Sequence, residues 1–185
     1  MRTPVFIALI VLWIAWFLPF ALRRKSKSGP RPAATARISI LGMVLQGAAN
    51  AVVWSSRYYW THPLEVWRVL AAVALVTVAL LLVWSALPAL GKQWRLQAGV
   101  YEDHELVQSG PYRFVRHPIY ASMLAMLLAA GLLLASPTGR AVALVLMIAG
   151  IEIRVRAEDR LLAGRFGDRF AEYRARVPAY LPFIR

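Results

Sequence analysis

Long uncharged apolar runs dominate the chain, and short polar stretches separate them. Five such runs can be marked. The first, Pro4 to Leu22, carries no charge, and neither does the second, Ile38 to about Trp54. The third covers about Val66 to Leu90, with Arg68 near its start. The fourth runs from Pro118 to Ala135 and the fifth from about Arg140 to Ile153. A helix needs about 20 apolar residues to cross a bilayer, with a usual range of about 17–25. The first three runs meet that length. The last two are short and joined only by Ser136-Pro137-Thr138-Gly139, which predicts a tight helical hairpin. The pattern predicts an all-α integral membrane protein of about five transmembrane helices, followed by a cytoplasmic C-terminal helical segment. The first run is too long for a signal peptide's apolar region and precedes no small-residue cleavage site, so it reads as a permanent span.

Composition agrees. Of 185 residues, 59% are hydrophobic and 17% charged, against roughly 45–50% and 25% in ordinary soluble domains. There are no cysteines, which removes disulfides, thiolate metal sites and cysteine nucleophiles. The histidines at 62, 104 and 117 are too scattered for a metal cage. A net charge of +13 would suggest nucleic acid in a soluble chain. Here the basic residues lie between apolar runs, as the positive-inside rule produces. Six lie in the first loop, from Arg23 to Arg37. Four more, Lys92, Arg95, Arg113 and Arg116, precede the fourth run, and eight lie from Arg154 to Arg185. These eighteen fall on one side, leaving Arg2, Arg57, Arg68 and Arg140 on the other. The expectation is an outside amino terminus and a cytoplasmic carboxyl terminus. Trp54, Tyr58, Tyr59, Trp60 and Trp67 would form an interfacial belt at the outer ends of spans two and three.

Two polar, aromatic-rich stretches then share the cytoplasmic face: Glu102 to Tyr120, EDHELVQSGPYRFVRHPIY, and Arg154 to Phe183. Ser109-Gly110-Pro111-Tyr112 signals a turn. Proline favours the first helical position and disfavours helix before it, so a helix should start at Pro118 with His117 as its cap. Arg116 and His117 would then sit at a helix amino terminus, where free N–H groups attract anions. Tyr120 follows one turn later on the same face. The plainer roles are lipid-phosphate anchoring for Arg116 and capping for His117. In the second stretch Arg154 and Glu158 are four apart and share a helix face, which Gly164 or Gly167 could end. Arg165, Arg169, Arg174, Arg176 and Arg185 read as a solvated or lipid-headgroup-binding face.

GPYRFVRHPIY, an apolar hairpin, then an arginine, an acidic pair and FGDRFAEYRARVPAYLPFI together resemble the isoprenylcysteine carboxyl methyltransferase family, which is related to phospholipid N-methyltransferases. The similarity covers about Gly91 to Ile184. The apolar runs place three membrane spans over 1–90, and the resemblance implies a methyltransferase-like region over 91–185, within one structural domain. The resemblance further implies S-adenosyl-L-methionine as cofactor, bound by Leu106, Val107, Gly110, Tyr112, Arg116, His117, Tyr120 and Glu158. Two positions depart from the family's pattern: Ser122 stands where glycine is frequent, and the acidic pair is Glu158-Asp159 rather than two glutamates. The implied acceptor is a lipophilic molecule, most simply a carboxylate such as a prenylated cysteine, with membrane lipids as further partners and neither metal nor nucleic acid. Arg154 and Glu158 are the candidate catalytic residues, with Arg154 holding the acceptor's carboxylate. Three alternatives remain at this point: a lipid N-methyltransferase, a nicotinamide-dependent membrane reductase of related architecture, and a non-enzymatic membrane subunit.

Overall fold

A computed structural model describes residues 2–22, 34–56, 58–91, 99–100 and 105–181. The stretch around His104 and the first-loop charges from Arg23 to Arg31, along with Lys92, Arg95 and the terminal Arg185, fall outside the described residues. The long helices are α1 (Arg2–Ala21), α2 (Ser39–Trp54), α4 (Val66–Leu90), α5 (Pro118–Leu134) and α6 (Pro137–Phe166). Each begins or ends within a few residues of an apolar run. Two shorter helices accompany them, α3 (Tyr58–Thr61) within the expected aromatic belt and α7 (Asp168–Arg176) after α6. One 3-10 turn covers Gly110–Arg113.

The architecture is helical as expected, with one two-residue ladder in which β1 (Ala34–Thr35) pairs antiparallel with β2 (Gly99–Val100). One expectation is corrected: the fifth helix begins before Arg140. It starts at Pro137, because Ser136 is an N-cap whose Oγ accepts the Gly139 N–H at 3.1 Å and proline suits the first turn. The four residues read as a turn are therefore a cap and the opening of the helix. From there α6 runs 30 residues and stops at Gly167, whose φ of 50° is costly for any other residue. Its first half is apolar and its second half is polar.

Among the described residues, two helices are long and apolar enough to cross a membrane, over Thr3–Ala21 and Val66–Leu90. A soluble core helix passes the same length test but is mostly buried. Here only 17% and 28% of the two apolar windows is buried. Ile7, Val11, Ile14 and Phe17 of α1, Val44 of α2, Leu70 and Leu81 of α4 and Val145 of α6 all point outward. An exposed apolar belt of this extent suits contact with a membrane. α1 is nonetheless part of the bundle: Leu9 and Trp16 are buried, and the Trp16 indole donates to Ser122 Oγ at 3.2 Å.

The core sits around α5, which is buried on most of its circumference. α4 lies along α5, and α2 lies along α6. The second contact is close because glycines face each other. A Cβ on Gly42 would fall 2.7 Å from the Gly150 carbonyl oxygen and 2.5 Å from Arg154 Cγ. A Cβ on Gly150 would fall 2.7 Å from the Gly42 carbonyl oxygen. Small residues at such a crossing let two backbones approach as membrane helices do.

Candidate functional site

The polar end of the bundle is built from three segments: the start of α5, the middle of α6 and the chain after α7. Arg116 and His117 form a short bridge with the last of these. The Arg116 N–H donates to the Pro178 carbonyl at 2.9 Å and the His117 N–H to the Ala179 carbonyl at 2.7 Å. These are donors that an α5 entry would otherwise leave without partners. Beyond α7, Ala179, Tyr180 and Leu181 turn back into the apolar core. The Tyr180 hydroxyl donates to Glu152 at 2.8 Å.

Six side chains connect across this junction. Arg116 donates to Asp159 Oδ2 at 3.1 Å and to the carbonyls of Arg174 and Val177. His117 Nε2 lies 2.9 Å from Asp159 Oδ1, and its Nδ1 lies 3.4 Å from Glu158. The Tyr120 hydroxyl donates to Glu158, while Arg154 Nε donates to the Tyr120 oxygen at 2.8 Å. The Arg154 guanidinium also lies over the Tyr120 ring, 5.1 Å from its centre. Five of the residues expected from sequence, Arg116, His117, Tyr120, Arg154 and Glu158, thus share one network. His117 occupies the N-cap position of α5, but its side chain makes no capping bond and faces the carboxylates instead. The anions drawn to this helix end include two carboxylates of the chain itself.

Within the network Arg116, expected to grip a ligand anion, spends its hydrogen bonds on Asp159 and two backbone carbonyls. The remaining expected residues lie around this centre. Tyr112 is buried, and its carbonyl accepts the Tyr173 hydroxyl at 2.5 Å. Leu106 packs on a satellite cluster of Phe170, Tyr173 and Val177, and Val107 is half-buried next to it in sequence. Gly110 takes a φ of 59° at the start of the 3-10 turn, against Ala89 of α4. Two participants lay outside the expected site residues. Asp159 was read only as the second acid of a pair, yet it is the hub for Arg116 and His117. α2 carries no motif, but its Gly42 supports the stem of Arg154.

Electrostatics sets the charge state. Burial pushes the His117 pKa down, but hydrogen bonds to Asp159 and Glu158, with their charges, outweigh it and raise the value to about 9. Burial pushes Asp159 up, but the His117 hydrogen bond and the charges of His117 and Arg116 hold it below its ordinary range. Among the described residues, the network at neutral pH sets the cations Arg116, His117 and Arg154 against the anions Glu158 and Asp159. Among these one positive charge is in excess.

The isoprenylcysteine carboxyl methyltransferase (ICMT) family model matches residues 70–164, more than half of the chain and all six networked side chains. The chain belongs to this family. Among similar proteins, "Cobalt-zinc-cadmium resistance protein CzcN" of Cupriavidus metallidurans is 36% identical over 126 residues, covering 66% of this chain and 51% of that protein. "Protein-S-isoprenylcysteine O-methyltransferase B" of Arabidopsis thaliana is 31% identical over 83 residues, 45% of this chain and 42% of that one. "Nickel-cobalt-cadmium resistance protein NccN" of Alcaligenes xylosoxydans is 28% identical over 139 residues, 65% of each chain. The chain thus spans about half the length of the curated relatives it matches. The ICMT match begins in α4 and ends in α6, so α1, α2 and the segment after α6 lie outside it.

Proposed function

We propose that the protein transfers a methyl group from S-adenosyl-L-methionine to the carboxylate of a lipophilic acceptor such as a prenylated cysteine, at the cytoplasmic face of the membrane. The observation that carries this reading is the connected network of His117, Tyr120, Arg154 and Glu158, buried at the border between apolar and polar halves of α6, within the ICMT-matched stretch.

The donor set fits the cofactor. Glu158 keeps 26% of its side chain exposed, against 9% for Asp159. It is the carboxylate able to reach a ribose diol or an ammonium group. The excess positive charge suits a carboxylate. S-adenosylmethionine would supply a methyl group on a positively charged sulfur. Transfer would form an oxygen–carbon bond to the acceptor and break the carbon–sulfur bond, leaving the electron pair on sulfur, between the groups that Arg154 and Glu158 would hold. No proton moves, because the acceptor is already ionised at neutral pH. The residues' task is therefore alignment, a contribution worth up to roughly 7–11 kcal/mol. Arg154 holds the acceptor's carboxylate at the membrane end of the network, and Glu158 holds the cofactor.

Methyl transfer from labelled cofactor to S-farnesyl-N-acetylcysteine, beside calorimetric titration with S-adenosylhomocysteine, tests the assignment. Glu158→Gln should weaken S-adenosylhomocysteine by about 1.5–3 kcal/mol, the range for a hydrogen bond to a charged group. Arg154→Ala should leave that affinity nearly intact, while lowering turnover or raising the acceptor's KM. If the two variants exchange effects, the roles are reversed. If neither changes anything, the reading fails. Tight binding of a reduced nicotinamide cofactor in place of S-adenosylhomocysteine would favour a reductase.

A further inference from the structure

The face of α2 that meets α6 is unusually polar for a helix without charges. Ser39, Gly42 and Gln46 share it, at successive turns. Ser39 is fully buried and Gln46 is 4% exposed. Neither the Ser39 Oγ nor the Gln46 Nε2 has a hydrogen-bond partner among the described residues. Buried polar groups in folded proteins are almost always paired, and in a bilayer no water substitutes. Two orphaned groups on one helix face, at 39 and 46, call for an occupant.

Their position relative to α6 is fixed by the glycine crossing. The Gln46 side chain lies against Gly150, 2.9 Å from where its Cβ would stand. The Arg154 stem lies against Gly42. Gly150 and Arg154 are one turn apart on α6, and Gly42 and Gln46 one turn apart on α2, roughly 6 Å in each case. Gln46 thus sits one turn below Arg154, toward the apolar half of α6 and away from Glu158 and Asp159. A lipophilic molecule entering from the bilayer would meet Gln46 before the network. The Gln46 amide nitrogen and the Arg154 guanidinium are both donors only. Two donors on adjoining helix faces at the edge of a site with excess positive charge select an anion over a neutral group.

We propose that Gln46 is an acceptor-specificity residue: its amide donates to the carboxylate of the lipophilic acceptor, on the membrane side of Arg154. This rests on the methyltransferase reading above and adds to it where the acceptor's head is read.

The test uses the full chain in detergent. Binding of S-farnesyl-N-acetylcysteine and of its carboxamide is measured by ligand-induced thermal shift without cofactor, and S-adenosylhomocysteine by calorimetry. Wild type should bind the acid more tightly than the amide. In Gln46→Leu and Gln46→Met the acid should weaken about ten-fold or more and the acid-over-amide preference should disappear. S-adenosylhomocysteine affinity should not change, and the unliganded melting temperature should not fall, because an apolar side chain replaces an unpaired donor. An unchanged preference in folded variants would overturn the role of Gln46 while leaving the methyltransferase reading intact. So would a large loss of stability in both variants, which would make Gln46 structural. If wild type binds S-adenosylhomocysteine but not the acid, the Gln46 assignment fails alone. If it binds the acid with the expected preference but no S-adenosylhomocysteine, the methyltransferase reading fails and the acid site stands.

Discussion

Raising the pH should loosen the folded protein through His117. Its folded pKa of about 9 lies above the ordinary value of 6.5. The protonated ring, paired with Asp159 and Glu158, is therefore favoured in the folded state. The stability this contributes is fully present below pH 6.5 and is lost as pH rises through about 9. Asp159 works in the opposite direction. Its folded pKa is lowered below 3.8, so its contribution holds above that value and is lost only in acid. The pairing is at full strength between about pH 4 and 6.5. At 1.36 kcal/mol per pKa unit, the His117 shift corresponds to about 3 kcal/mol. His117 is only 6% exposed, so solvent screening removes little of it. For a chain of this size, that lowers the melting temperature by roughly 10 °C at most. The assay is thermal unfolding in detergent from pH 6 to about 9.5, for wild type and His117→Gln. Glutamine keeps a donor toward Asp159 but cannot titrate, so the variant should lose most of the slope across this window. Parallel slopes in the two proteins would refute the raised pKa and the charge state assigned to the network.

Arg116→Ala should take one of two donors from the buried Asp159 carboxylate, which keeps His117, and leave the Val177 carbonyl without its side-chain donor, costing about 1–3 kcal/mol and exposing the segment after α7 to limited proteolysis. Arg174→Ala should change neither readout, since its exposed side chain leaves the carbonyl in place; equal effects would mean that general charge, not the clamp, holds the segment. Gly42→Ala should force α2 from α6, with an overpacking cost of about 1–3 kcal/mol in thermal unfolding and a loss of methyl transfer. Gly47→Ala, with nothing within 4 Å of its Cβ, should be neutral or slightly stabilising, and similar losses in both would remove the crossing argument.

The helices were legible because apolar runs of membrane length admit one backbone solution, with every N–H and C=O paired internally. Proline before Ile119 placed the start of α5, and the four-residue spacing placed Arg154 and Glu158 together. Ser136-Pro137 misled because the same residues serve a turn and a helix cap, and only the Gly139 N–H on Ser136 distinguishes them. The commitment of Arg116 was not readable either. Its partners are two carbonyls and a carboxylate 43 to 61 residues away, and a carbonyl carries no side-chain signal. α2 was silent for a related reason: glycine and glutamine in an apolar run specify nothing until a second helix lies against them.

That silence bears on how the family's chemistry is divided. The ICMT-matched stretch, 70–164, holds every charged side chain of the network, so in the proposed reaction it would fix the charge state and the alignment of the methyl donor. It does not hold the groups that enclose the network. The backbone of Pro178 and Ala179 closes one side, and α2 with Gly42, Gln46 and Ser39 forms another. A residue that positions the shared reacting groups is constrained by the reaction, whatever the acceptor. A residue that meets the acceptor first is constrained only by that acceptor's head and tail. Relatives whose printed names range from isoprenylcysteine methylation to metal resistance can share the first set and differ in the second. The physical place for such a difference is the α2–α6 crossing, where glycine allows close approach and the buried Gln46 amide lies against Gly150.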